Sequence, residues 1–148
     1  MKRIAAALIA AGMALSIVPA ASAAEYAELT NVRTGKHATF DRVVFDLTGG
    51  QPEDSVSSIA EPVNCGSGKP ISAPGREFLE VRLQPADAHS YTGSRNFTTP
   101  GLDAVQSVVF TCDFEADLSI AIGVDHANPT YRAYFLTGPL RYVVDINH

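Results

Sequence analysis

The sequence predicts an all-β fold, an antiparallel β-sandwich of about seven or eight strands held by one disulfide. Short runs rich in β-branched and aromatic residues recur along the chain, most of them separated by turn-forming residues. After residue 24 no window sustains apolar residues at i, i+3, i+4 and i+7, so nothing reads as an amphipathic helix. Two cysteines, Cys65 and Cys112, follow an amino-terminal segment built like an export signal.

The elements follow in order. Residues 29–32 open the set and extend toward His37. Residues 42–47 (Arg-Val-Val-Phe-Asp-Leu) form a strongly β-prone run that stops at Gly49-Gly50. Residues 56–59 carry a fainter version of the same signal. Residues 79–84 alternate apolar and polar, the period of a half-buried strand, and end at Pro85. Residues 105–111 and 118–124 are two more β-rich runs, with a short hairpin connection between them at residues 113–117. Residues 131–136 and 141–146 are divided by Gly138-Pro139. The longest stretch without a strand signal, residues 85–101, carries Asp87, His89, Tyr91, Arg95 and Phe97. It reads equally as a functional loop and as a surface excursion over one end of the sandwich.

An echo links two of the runs. Arg42, Val44 and Asp46 repeat the pattern of Arg141, Val143 and Asp145. Alternate strand residues share a face, so each copy places Arg, Val and Asp on one side and apolar residues on the other. Two structurally equivalent strands are expected, with the arginines either recognising a ligand or pairing with these aspartates.

The leader sets the address. Met1, Lys2 and Arg3 give a basic start, residues 4–18 are almost wholly apolar, and Ala21-Ser22-Ala23 offers small residues for a signal peptidase. The apolar run is shorter than the roughly twenty residues of a spanning helix. Residues 1–23 are therefore expected to be a signal peptide cut after Ala23, and residues 24–148 a single secreted domain, extracellular or cell-wall associated. No cysteine lies at the expected cleavage point to take a lipid, so no membrane anchor is expected.

Without Lys2 and Arg3 the formal net charge of −5 becomes −7. A chain this acidic and without basic runs is poorly suited to nucleic acid or to anionic lipid. In an exported protein the Cys65/Cys112 pair is expected to be oxidised. Such a bridge closes a loop of about 48 residues and restricts the unfolded chain by roughly 4 kcal/mol at most.

Catalytic patterns are thin. The four histidines show no zinc-type spacing, and Asp113, Glu115 and Asp117 lack the glycine-bearing loop of a calcium hand, so neither metal nor cofactor is expected. Val109-Phe110-Thr111-Cys112 is similar to the nucleophile strand of sortases, a reading that needs a free thiol at Cys112. Glycan binding commonly uses flat aromatic faces; with no Trp in the chain, the candidates are Tyr91, Phe97, Tyr131 and Tyr134, with core packing the alternative for Phe97 and for one of Tyr131 or Tyr134. Arg95, Arg42 and Arg141 are the candidate charged contacts.

Residues 24–148 also resemble the AMIN-like domain of secreted actinobacterial proteins. The match rests on residues 29–37 (Leu-Thr-Asn-Val-Arg-Thr-Gly-Lys-His) and 40–46 (Phe-Asp-Arg-Val-Val-Phe-Asp), then 91–93, 113–115 and 121–125. It closes on residues 136–146 (Leu-Thr-Gly-Pro-Leu-Arg-Tyr-Val-Val-Asp-Ile). The resemblance implies a β-sandwich related to the AMIN domains of peptidoglycan amidases, which localise proteins by binding peptidoglycan and are not themselves catalytic. The expected function is then a non-enzymatic binding module for cell-wall glycan or another envelope component. The alternative is a protein-binding module, such as a protease inhibitor or envelope accessory factor, using the stretch after Cys65. A sortase-like thiol enzyme is the remaining reading. The sequence leaves oligomeric state open.

Overall fold

The computed structural model describes residues 25–148. The expected signal peptide and its cleavage point after Ala23 lie outside them. Ten strands run β1 (Ala27–Lys36), β2 (Phe40–Gly49), β3 (Glu53–Ile59), β4 (Glu77–Gln84), β5 (Ala86–Asp87), β6 (Asn96–Thr98), β7 (Val105–Phe114), β8 (Asp117–Val124), β9 (Tyr131–Leu136) and β10 (Arg141–Asn147). They form two five-stranded sheets, ordered β5-β1-β2-β10-β9 and β3-β4-β8-β7-β6. Every run read from the sequence is a strand.

The count exceeds expectation because the stretch 85–101 contains two extra strands. β5 has 2 residues and β6 has 3, too short to show a period. β5 also departs from a wholly antiparallel plan, since it pairs parallel with β1 through Ala27↔Ala86 and Glu28↔Asp87. Both sit at sheet edges, where very short strands limit the unpaired backbone offered to other chains. The connection between β7 and β8 is the expected hairpin. Glu115 (φ 49°) and Ala116 (φ 64°) are both left-handed, as a two-residue turn matching strand twist requires.

Alternation builds the core. Val43, Phe45 and Leu47 of β2 and Tyr142, Val144 and Ile146 of β10 face inward. They join a cluster with Leu79, Val81 and Leu83 of β4 and Leu118, Ile120, Ile122 and Val124 of β8. Tyr142 is fully buried, and its hydroxyl donates to Asp54 at 2.7 Å. Burial, reinforced by that carboxylate, pushes the Tyr142 phenol far above its ordinary range.

One acid also lies in the inward phase of β2. Asp41 is fully buried. One of its oxygens accepts from the Ala104 amide at 2.6 Å and the Val105 amide at 3.0 Å; the other meets His148 Nε2 at 3.1 Å. Burial opposes its ionised form, yet the two amide donors and His148 hold its pKa below the usual carboxylate value. Asp41 thus ties the first sheet to the start of β7 in the second.

The outer face of the second sheet is overlaid by residues 60–76. Cys65 bonds to Cys112 with S–S 2.09 Å and Cα–Cα 5.2 Å, as expected. The Cys65 amide donates to Thr111 O at 2.9 Å, Ser107 Oγ to Pro74 O at 2.5 Å, and the Arg76 amide to Val124 O at 2.7 Å. Gly123 permits this approach: a Cβ there would collide with the Pro74 carbonyl. The two faces of the sandwich are therefore unlike.

Candidate functional site

The outer face of the β1–β2–β10–β9 layer carries the repeated pattern. β2 and β10 are antiparallel neighbours, so the copies run head to tail. Arg42 stands opposite Asp145, and Arg141 opposite Asp46. Equivalence of the two strands holds, and the ion pairing crosses between copies. Arg42 holds Asp145 through two hydrogen bonds of 2.7 and 2.9 Å. Tyr134 of β9 closes the triangle, accepting from Arg42 at 3.0 Å and donating to Asp145 at 3.0 Å.

Asp46 is not taken by Arg141. Arg33 of β1 grips both its oxygens, at 2.7 and 2.8 Å. That hydrogen-bonded guanidinium holds the Asp46 carboxyl below its ordinary range. Burial pushes Asp145 the other way, but Arg42 and Tyr134 outweigh it and the net shift is also downward. Burial, with the facing Asp145, raises the Tyr134 phenol. Both aspartates are therefore charged at neutral pH. The network is fixed in place, with Val44 (8% exposed) and Val143 (1% exposed) at its centre under the longer side chains.

Around this network four arginines meet two aspartates; Glu28 of β1 and Asp87 of β5 share the face by register, toward its β5 edge. Arg132 lies opposite Asp145 across β9–β10, but its guanidinium sits over the Tyr134 ring at 4.8 Å. Arg141 spends Nε on Pro139 O at 3.2 Å. Among the described residues neither forms a salt bridge.

The other candidates lie elsewhere. Tyr91 stacks on Phe110 at 5.2 Å between ring centroids, and Arg95 sits 5.2 Å from the same ring. Arg95 also donates to Asp113 at 2.8 Å and Ala88 O at 2.7 Å, which pins the 88–95 segment to β7. Tyr131 is at the sheet edge, its hydroxyl 3.4 Å from Val56 O of β3. The structure thus gathers Arg42, Arg141 and Tyr134 on one face and places Tyr91, Arg95 and Tyr131 away from it. Sequence reasoning missed Arg33 and Arg132. Alternation from Tyr134 through β9 could have found Arg132.

The acidic group expected to lack a calcium loop is divided between arginines. Asp113 goes to Arg95, and Asp117 is held bidentately by Arg82. The sortase-like reading is overturned: Cys112 is oxidised, no free cysteine remains among the described residues, and there is no thiolate to attack with.

The fold and its ordered polar face define a two-layer β-sandwich module. The chain is a member of the AMIN-like domain family, whose model matches residues 27–148. Searches of curated proteins and of solved structures return no match. No helix among the described residues is long and apolar enough to cross a membrane.

Proposed function

We propose that this protein is a secreted, non-enzymatic module that binds peptidoglycan through the outer face of the β1–β2–β10–β9 sheet. The leader at residues 1–23 delivers it, with cleavage after Ala23, and residues 24–148 act outside the cytoplasm. The observation that carries the reading is the local arginine excess around Asp46 and Asp145 in an otherwise acidic chain. Four of its cationic side chains gather where the neighbouring carboxylates can neutralise only two. Membership of the AMIN-like family supports the wall as the target. Rigid cross-strand pairing supplies preorganisation, since the side chains are already ordered before a ligand arrives.

The opposite face is poorly suited to the same task, because residues 60–76 lie over it. Co-sedimentation of the mature protein with purified peptidoglycan tests the reading. The protein is expected in the pellet, with release as ionic strength rises and screens the guanidinium contacts. Mature protein that stays in the supernatant at low salt contradicts it.

A further inference from the structure

We infer that the ligand is read through its carboxylates, those of the peptide stems and not the sugar rings, by the pair Arg132 and Arg141. The inference rests on the wall-binding reading above. Pairing on the face explains why these two. Each aspartate is flanked by two arginines and is claimed by one: Asp46 by Arg33 and Asp145 by Arg42. The arginine left over beside each is Arg141 and Arg132 respectively.

The unused donors suit carboxylates. The Arg132 guanidinium sits over the Tyr134 ring and donates no side-chain hydrogen bond among the described residues, which leaves its N–H groups for a planar anion. Arg141 has committed Nε to Pro139 O, and its terminal nitrogens make no hydrogen bond among the described residues. Such a fork accepts a carboxylate through two parallel bonds. Arg132 stands opposite Asp145, four residues along β10 from Arg141. The two positions are therefore about 13 Å apart along the strand at the backbone, within reach of discrete carboxylates on an extended peptide.

Sugar stacking has little to use here. Tyr134 has a ring side under Arg132 and its hydroxyl bound to Asp145, and Phe40 of β2 is occupied by His37, stacked on it at 4.4 Å, and by the Arg42 guanidinium 5.2 Å from its centroid. A densely charged phosphodiester polymer also carries anions that chelate arginine, but it would extend over the acidic remainder of the molecule and be repelled.

The test uses the mature protein and three preparations of purified wall: untreated, carboxyl-amidated with carbodiimide and ammonia, and stripped of phosphodiester polymers with hydrofluoric acid. Binding is expected to survive stripping and to weaken about tenfold or more on amidation, the loss of charge-assisted hydrogen bonds. Arg132→Gln/Arg141→Gln should bind untreated wall as weakly as wild type binds amidated wall, with an unchanged melting temperature. Equal wild-type binding to amidated and untreated wall overturns the carboxylate inference while leaving wall binding intact. Binding lost on stripping overturns it in favour of phosphodiesters. No binding to any preparation removes the wall-binding reading and this inference together.

Discussion

Asp41→Ala is expected to lower the unfolding free energy by about 3 kcal/mol, because it orphans two buried amide donors and deletes a charge-assisted contact in one step. Ala104 and Val105 are 1% and 0% exposed, so water is a poor substitute for the lost acceptor. Asp41→Asn keeps one oxygen for the amides and should cost less than Asp41→Ala. Urea titration of the mature protein measures both. The pH dependence has a definite sign. The folded-state pKa of Asp41 is depressed, so its contribution is fully present above the unfolded value of about 4 and is lost as pH falls through the folded one. Asp41→Asn should flatten the acid limb of the stability curve below about pH 4. A variant as stable as wild type would mean that this carboxylate does not link the sheets.

The Cys65→Ser/Cys112→Ser variant is expected to lose up to about 4 kcal/mol, the entropy regained by an unfolded chain freed of its cross-link. The bond spans a sequence separation of 47 residues and anchors the segment over the second sheet. Wall binding should be unchanged in this variant at temperatures where it remains folded, since the arginine face belongs to the other sheet. Denaturant midpoint and co-sedimentation, measured on the same sample, separate the two effects. Binding that disappears while the fold persists would place the ligand near the disulfide. There Cys65, Arg95, Phe110, Cys112 and Phe114 help line a shallow cavity of about 360 Å³.

Much of this architecture was legible because burial imposes a period. Residues 42–47 and 141–146 announce both their strands and their inward faces. β5 and β6 were illegible because strands so short have no alternation to display; their existence depends on β1 and β7 offering an edge. The Arg-x-Val-x-Asp echo revealed equivalent strands but not who pairs with whom. Within one strand Arg42 and Asp46 share a face, and only antiparallel register shows that Asp145 is the partner across from Arg42. Tyr91 and Arg95 were plausible ligand contacts by residue type. Their commitment to Phe110, Asp113 and Ala88 is a tertiary fact. Asp41 did leave a trace: it is an acid in the same phase as Val43, Phe45 and Leu47, where only a satisfied carboxylate is tolerable.

The location of the ligand on the β1–β2–β10–β9 face is the claim on which the functional account turns. Amide chemical-shift mapping of the isotope-labelled mature protein, titrated with soluble peptidoglycan fragments, addresses it directly. Perturbations are predicted to cluster on β2, β9 and β10 around Arg42, Arg132, Tyr134 and Arg141. Perturbations confined to the 88–97 segment or to the surroundings of Cys65 and Cys112 would contradict it.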